Sequence, residues 1–280
     1  MNYARLMRTY EDKLDKIGED RENLAYVFRE LKEWSSLEFL LHQNQEVTAD
    51  DYLLLEEIFG ALSQHLSPQY ITGRAYFRDL QLAVDSRVLI PRPETEELVD
   101  LILKENTAPH CKVLDIGTGS GAIALSLKKE RPDWQLTASD ISRDALALAQ
   151  TNADTYQLDV TFIESDVFSH LSGKFDMIIS NPPYIAYEDK EEVGLNVLHS
   201  EPHLALFAEE DGYAIYRKII EEAADYLTET GKLYFEIGYK QGEGLNHLLK
   251  TYFPDKRVRL LTDLFGRETV SYTHLTLPTS

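Results

Sequence analysis

The stretch Lys112-Val-Leu-Asp-Ile-Gly-Thr-Gly-Ser-Gly121 decides the fold class, because a short apolar run ends directly in three alternating glycines. The spacing of apolar residues predicts a strand over 112–116 and a helix over 122–129. Glycines between a strand and a helix let a ligand approach the backbone and the free amides of the first helical turn. We therefore predict a cofactor site at the loop residues Gly117, Thr118, Gly119, Ser120 and Gly121.

The chain around this stretch alternates between strand and helix patterns. Further strands are predicted over 135–139, 160–164, 175–180 and 232–237, and further helices over 94–104, 142–152 and 213–227. Alternation of this kind builds a doubly wound, mostly parallel sheet of the α/β class, with its ligand crevice at the carboxyl ends of the strands.

Asp140 closes the second strand of this sheet. A carboxylate in that position can accept hydrogen bonds from both hydroxyls of an adenosine ribose. The spacing of Gly117, Gly119 and Ala122 also satisfies the looser dinucleotide pattern G-x-G-x-x-A, so a nicotinamide dehydrogenase remains an alternative at this point. Asp115, just before the loop, could contact the cofactor's amino group, but we favour support of the loop amides.

The segment Asn181-Pro182-Pro183-Tyr184 follows the apolar strand over 175–180 and reaches the same edge of the sheet. Two prolines fix the backbone and leave the Pro182 carbonyl free to accept a hydrogen bond. Together with the Asn181 side-chain oxygen it can hold both hydrogens of a planar NH2 group, while Tyr184 stacks on that group. The segment predicts methylation of a planar nitrogen, and the alternative is a Pro-Pro turn that only ends a strand.

The chain before these motifs predicts two smaller parts. Residues 1–72 are dense in charge, with apolar residues at helical spacing, which predicts a helical domain. In it we expect a capping box over 48–51 and an apolar stripe formed by Leu54, Ile58, Leu62 and Leu66. Residues 73–93 predict a β-hairpin linker with its turn at Asp85-Ser86.

The catalytic domain is predicted over 94–270. The last ten residues, 271–280, resemble a translated cloning adaptor and are interpreted as a non-native tail.

The composition limits the cellular setting and the partners. The 280 residues hold one cysteine and no apolar run of about 20 residues, so we expect a cytoplasmic protein without disulfide, metal cluster or membrane contact. The formal net charge of −20 argues against direct binding of nucleic acid, because such a surface repels phosphates. Nothing in the pattern demands a dimer, so a monomer is expected.

Over about residues 1–270 the sequence resembles the HemK-type peptide chain release factor glutamine methyltransferases. The most discriminating motif is Leu89-Ile-Pro-Arg-Pro-Glu-Thr-Glu96, since Asn-Pro-Pro-Tyr also occurs in adenine-N6 methyltransferases. The resemblance further rests on the helical amino-terminal part and on the motifs Asp115 to Gly121, Asp140, Asn181-Pro-Pro-Tyr-Ile185, Glu201-Pro-His-Leu-Ala-Leu206 and Phe235-Glu-Ile-Gly238.

The resemblance implies transfer of a methyl group from S-adenosyl-L-methionine to the glutamine amide of a Gly-Gly-Gln motif in release factors. It implies cofactor contacts at residues 117–121, Asp140, Val167 and Asn181, and glutamine contacts at 181–184. Phe77 and residues 91–95 would lie near the mouth of the site. Val167 stands where the family commonly has tryptophan, so stacking on the adenine should be weaker, with Phe168 either as its substitute or in the core.

Three alternative functions share part of this motif pattern. An adenine-N6 methyltransferase acting on DNA or RNA would use the same grip on a planar amine. A dehydrogenase lacks a matching proton donor, because His199 and His203 are more typical of structural or exposed histidines. A protein that binds the cofactor without turnover would have no use for the intact Asn181.

Overall fold

The computed structural model of the chain describes residues 1–262 and 268–274. Within them the helices are α1 Tyr3–Asp15, α2 Glu22–Lys32, α3 Ser36–His42, α4 Ala49–Leu62, α5 Pro68–Thr72, α6 Pro93–Glu105, α7 Ala122–Glu130, α8 Arg143–Tyr156, α9 Leu195–Ser200, α10 His203–Leu206, α11 Ala214–Tyr226 and α12 Gly242–Tyr252. The strands are β1 Arg74–Phe77, β2 Leu80–Ala83, β3 Lys112–Ile116, β4 Gln135–Asp140, β5 Val160–Glu164, β6 Phe175–Ser180, β7 Ile185–Ala186, β8 Phe207–Ala208, β9 Leu227–Glu236, β10 Arg257–Thr262 and β11 Glu268–His274, and a 3-10 helix spans Tyr187–Glu192.

The chain divides into two compact units. The helical unit comprises Met1–Arg74 together with Val193–Glu201, and the sheet unit comprises Ala75–Glu192 with the described residues from Pro202 onward. Within the helical unit, the distant segment is joined by a 2.6 Å hydrogen bond between the hydroxyls of Ser67 and Ser200. The inclusion of Val193–Glu201 in this unit has no counterpart in the sequence pattern, which assigned those residues to the catalytic domain.

The helical unit packs α1, α2 and α4 around one apolar core. The predicted stripe on α4 is shifted, because Leu55, Ile58 and Leu62 are buried while Leu54 is only partly so. Thr48 caps the helix by accepting the Asp51 amide at 3.2 Å. The Asp51 carboxylate, expected to complete a capping box, accepts the Tyr3 hydroxyl and lies 2.6 Å from Lys32 Nζ.

The sheet unit is built on seven strands in the order β10-β11-β9-β6-β3-β4-β5. Strands β9, β6, β3, β4 and β5 run parallel, whereas β11 pairs antiparallel with both β9 and β10. Neighbouring residues of β3 face opposite sides: Val113 packs with α6 and α7, and Leu114 packs with α11 and α12. Helices thus cover both faces, which confirms the doubly wound, mostly parallel sheet.

The hairpin before this sheet forms, but the predicted turn at Asp85-Ser86 is wrong. The two strands are β1 and β2, and the chain reverses at Arg78-Asp79, where Arg78 has φ of +50°. Buried residues explain this position: Ala75 and Phe77 of one strand and Leu80 and Leu82 of the other all face the core. The Asp85-Ser86 region instead forms a local turn in which Arg87 binds the Asp85 carboxylate at 2.7 and 2.8 Å.

The last described strand includes residues that were predicted to be a non-native tail. Backbone pairing along β11 joins Ser271 to Phe235, Tyr272 to Tyr234 and Thr273 to Leu233. Such pairing uses main-chain groups, so it does not depend on the origin of the side chains. Residues 275–280 of the predicted tail lie outside the described part of the chain. In the described part, every helix is too short or too polar to cross a lipid bilayer.

Candidate active site

A cavity of about 430 Å³ opens at the carboxyl ends of β3, β4 and β6 in the sheet unit. This volume falls within the roughly 300–1,000 Å³ typical of small-molecule sites. Most of the predicted site residues line it: Gly117, Thr118, Gly119, Ser120, Asp140, Val167, Asn181, Pro182 and Pro183. Among the described lining residues, Gly121 and Tyr184 do not appear.

The glycine loop turns sharply because three of its residues adopt left-handed backbone angles. The φ values are +73° at Gly117, +54° at Gly119 and +85° at Gly121, which side chains rarely tolerate. A Cβ at Gly121 would also lie 3.0 Å from a methyl carbon of Leu125. Gly121 is therefore explained by the close start of α7, whereas Gly117 and Gly119 present backbone to the cavity.

Asp140 closes β4 and links the loop to the next helix. Its two carboxylate oxygens accept the amides of Gly119 at 3.0 Å and Ser142 at 2.9 Å. Burial raises the pKa of this carboxyl. A carboxylate has four lone pairs on its two oxygens, so Asp140 retains acceptor capacity for the hydroxyls of a ribose.

Asp115 supports the same loop from beneath. It is fully buried, and one carboxylate oxygen accepts the Thr118 hydroxyl at 2.7 Å. Burial raises the pKa of Asp115 to about 7. This geometry favours support of the loop over direct contact with a ligand in the cavity.

Asn181 lies at the wall of the cavity and continues into a buried polar chain. Its side-chain Nδ2 donates to the Thr95 hydroxyl at 3.3 Å, and that hydroxyl donates to Glu236 Oε2 at 2.6 Å. Thr95 and Glu236 are both buried, and burial raises the pKa of Glu236 to about 7. The sequence reading missed this link, although both residues lie within motifs quoted for the resemblance, Pro-Arg-Pro-Glu-Thr and Phe-Glu-Ile-Gly.

Tyr184 is held by three later residues of the sheet unit. Its carbonyl accepts Gln241 Nε2 at 3.0 Å. A Cβ at Gly212 would lie 2.1 Å from that carbonyl oxygen, and one at Gly238 would lie 3.1 Å from ring atom Cδ2. The ring packs against the core layer of α11 and α12, and burial raises the pKa of its hydroxyl. The covering role predicted for Tyr184 remains a proposal.

The apolar wall of the cavity differs from what the resemblance implied. Phe168 is in the core, where it stacks on Tyr226 at 4.2 Å, and it does not substitute for the missing tryptophan. Phe77 is likewise fully buried in the core, so its expected place at the mouth of the site is wrong. Ile141, which the sequence reading did not single out, lines the cavity and remains 52% exposed beside Asp140.

The two histidines considered for a dehydrogenase lie elsewhere. His199 Nδ1 lies 2.7 Å from the Leu195 carbonyl, and His203 meets Phe207 edge to face. Within the described part of the chain, no histidine lines the cavity.

A parallel sheet with helices on both faces, a glycine loop after the first parallel strand and an acidic residue after the next are features of the class I methyltransferase fold. Residues 95–205 match the methyltransferase small domain family, and residues 5–73 match the PrmC N-terminal domain family. A methyltransferase from Pyrococcus furiosus of known crystal structure superposes with a TM-score of 0.53 at 21% identity, over 70% of this chain and 89% of that one. This likeness supports the fold alone.

Curated relatives narrow the class to one family. The chain is 54% identical to the release factor glutamine methyltransferase of Streptococcus pneumoniae, over 95% of this chain and 96% of that protein. It is 50% identical to the protein of the same name from Lactococcus lactis, over 89% and 93% of the two chains. The chain belongs to the release factor glutamine methyltransferase family.

Proposed function

We propose that the chain transfers a methyl group from S-adenosyl-L-methionine to the side-chain nitrogen (N5) of the glutamine in the Gly-Gly-Gln motif of peptide chain release factors. One observation carries the proposal: Asn181, anchored through its own NH2 group, lines the same cavity as the glycine loop and Asp140. A planar amide and a nucleoside cofactor can therefore meet in one space. Membership of the family supports the choice of a release factor as the substrate.

The lining residues fit the proposed cofactor. Asp140 has lone pairs to spare for the ribose hydroxyls, and Ile141 offers an exposed apolar side chain next to it for the adenine. Val167, at the position where the family commonly has tryptophan, is only 5% exposed and therefore offers little surface to the adenine. When bound, S-adenosyl-L-methionine supplies a methyl group carried on a positively charged sulfur.

The residues at 181–184 serve the glutamine. Its NH2 group donates one hydrogen to Asn181 Oδ1 and the other to the Pro182 carbonyl, so that the nitrogen is fixed in place and direction. An amide nitrogen is a poor nucleophile because its lone pair is delocalised, and two acceptors in a dry site localise that pair. The nitrogen loses one proton after methylation, so a strong general base is unnecessary. Pro183 stiffens the segment and Tyr184 shields it.

The alternative substrate is adenine in DNA or RNA, whose exocyclic NH2 fits the same two acceptors. The formal net charge of −20 disfavours it, because a nucleic acid backbone is repelled by an acidic surface. The match of residues 5–73 to a PrmC N-terminal domain favours a protein substrate. We accordingly propose a cytoplasmic enzyme that acts as a monomer on a protein partner, without direct contact to nucleic acid or membrane.

The test uses the purified chain, methyl-labelled cofactor and a release factor. Label is expected on the wild-type Gly-Gly-Gln motif and not on a release factor whose motif glutamine is replaced by alanine. Asn181→Ala should abolish turnover while cofactor binding, measured by calorimetry, persists. Label on adenine of added DNA or RNA, with none on the glutamine, would transfer the assignment to the alternative.

A further inference from the structure

A series of hydrogen-bonded side chains runs from the cavity wall into the core and joins three separate secondary-structure elements. Asn181 follows β6, Thr95 lies in the first turn of α6, and Glu236 ends β9. The hydrogen bonds are 3.3 Å from Asn181 Nδ2 to Thr95 Oγ1 and 2.6 Å from Thr95 Oγ1 to Glu236 Oε2. Thr95 is 4% and Glu236 3% exposed, so water does not compete for these bonds.

Counting the available protons shows which group donates and which accepts in each of these two hydrogen bonds. A threonine hydroxyl has one proton to donate, and an ionised carboxylate can only accept. Because Glu236 takes the Thr95 proton, the Thr95 oxygen is left as an acceptor toward Asn181. Only the NH2 end of the Asn181 amide satisfies that acceptor, so the carbonyl end is the one left for a ligand.

The opposite orientation of this amide would disable the site. With the amide turned over, the Asn181 NH2 would meet the NH2 of the substrate, and two donors cannot form a hydrogen bond. The Asn181 carbonyl would then face the Thr95 oxygen, whose only proton is already committed to Glu236. Each change removes a hydrogen bond from a buried environment, where leaving a polar group unpaired costs free energy.

We propose that Thr95 and Glu236 are positioning residues for methyl transfer, which together hold the Asn181 amide with its carbonyl oxygen directed at the nitrogen to be methylated. The inference rests on the proposed function and adds to it the residues that set the orientation of the Asn181 side-chain amide. Neither residue needs to touch the reacting atoms.

The charge of Glu236 decides how firmly the orientation is held. The ionised Glu236 carboxylate can only accept, so it needs the hydrogen bond from the Thr95 hydroxyl. A protonated Glu236 can instead donate to the Thr95 oxygen, and the Thr95 hydroxyl is then able to donate to the Asn181 carbonyl. Burial raises the pKa of Glu236 to about 7, so activity should rise with pH through that value. The groups that face Glu236 are Glu94, whose charge raises the pKa, Arg92, Thr95 and Asn181, which lower it, and the hydroxyls of Tyr184 and Tyr216.

The kinetic test compares two variants of Thr95. Thr95→Val keeps the shape and removes the hydroxyl, and kcat should fall about 100-fold, the effect of misplacing a substrate-holding group by about 1 Å. The cofactor Kd should change far less than kcat, because the glycine loop and Asp140 keep their hydrogen bonds. Thr95→Ser restores a hydroxyl and should recover most of kcat. Equal kcat in Thr95→Val and the wild type would overturn the proposal.

A matched control separates positioning from loss of a buried hydroxyl. Ser126 in α7 is 2% exposed, and its hydroxyl has no hydrogen-bond partner among the described residues. Ser126→Ala should leave kcat unchanged, with an unfolding midpoint measured alongside those of the Thr95 variants. In Glu236→Gln the limb of the pH profile near 7 should disappear, because an amide does not titrate; its persistence would refute the role assigned to the Glu236 charge.

A measurement without substrate keeps this inference distinct from the proposed function. The Asn181 side-chain NH2 resonances, identified by their loss in Asn181→Ala, should exchange slowly with solvent in the wild type and in Thr95→Ser. In Thr95→Val they should exchange at least about tenfold faster. Fast exchange in the wild type would overturn the inference, whereas absence of label on a release factor would refute only the proposed function.

Discussion

Replacing Gly212 by alanine should damage catalysis although Gly212 does not line the cavity. A Cβ at this position would lie 2.1 Å from the Tyr184 carbonyl oxygen and 2.7 Å from Gln241 Nε2, at a φ of +84°. Real Cβ atoms essentially never approach another atom more closely than 3.0 Å, so the carbonyl must move by about 0.9 Å, the difference between 3.0 and 2.1 Å. Because Pro182 and Pro183 are stiff, that shift is transmitted to the residues that hold the substrate.

The size of the effect follows from this displacement. A misplacement of about 1 Å costs roughly 100-fold in rate, so Gly212→Ala should lower kcat by about that factor. Folding stability should fall by about 2–3 kcal/mol: about 1–2 kcal/mol from the left-handed backbone and about 1 kcal/mol from the Gln241 hydrogen bond to Tyr184. The assays are methyl transfer to a release factor under saturating substrates and urea unfolding.

Gly173 provides a matched control in the same unit. Its φ is +91°, and a Cβ there would meet nothing within 4 Å. Gly173→Ala should therefore lose only the 1–2 kcal/mol of backbone strain, with kcat unchanged. If both variants showed the same kcat, the collision at Tyr184 would have no catalytic consequence and the reasoning would be wrong.

Three further predictions concern the cofactor and the buried acids. Asp140→Ala should raise the Kd for S-adenosyl-L-methionine at least about 10-fold, because hydrogen bonds to a charged acceptor contribute about 1.5–3 kcal/mol each; calorimetry that shows an unchanged Kd would contradict the ribose assignment. Ile141→Ala should raise the same Kd about 10-fold through loss of about 1.5 kcal/mol of apolar burial, whereas a change confined to the release-factor KM would contradict an adenine contact. Asp115 has its pKa raised to about 7, so the stability it contributes is present below about pH 4 and is lost as pH rises through 7. Urea unfolding at pH 4.5 and 7.5 should show Asp115→Asn gaining stability relative to the wild type at the higher pH, and an unchanged difference would place the titration elsewhere.

The central parallel strands were predictable because they are buried on both faces. Strands of that kind read as short continuous apolar runs, bounded by charged residues or glycines. Lys112–Ile116 and Phe175–Ser180 are strands of that kind and have the bounds that the sequence pattern predicted. The edge strand Val160–Glu164 also has its predicted bounds, although Thr161 is exposed. The motifs at their carboxyl ends fall together for the same reason, since parallel strands end at one edge.

The errors occurred where a local pattern allowed two solutions. Both Arg78-Asp79 and Asp85-Ser86 could reverse the chain, and the choice depends on which apolar residues reach the core of the sheet unit. Phe77 was expected near the mouth of the site and is instead buried in the core, whereas Phe168, left open between adenine stacking and the core, lies in the core. Ile141 belongs to no motif that indicates an adenine contact, and its exposure at the cavity follows only from the folded structure.

The orientation of the Asn181 amide is the clearest case of a site feature that cannot be predicted from neighbouring residues in the sequence. Asn181 and the two prolines could be interpreted from four adjacent residues, because the backbone stiffness and the acceptors are properties of those residues. Which end of the Asn181 amide faces the cavity depends on a proton of Thr95, and that proton is drawn to a carboxylate 141 positions further along the chain. A hydrogen-bond direction set over such a distance leaves no periodicity in the sequence, so the orientation could be derived only from the fold.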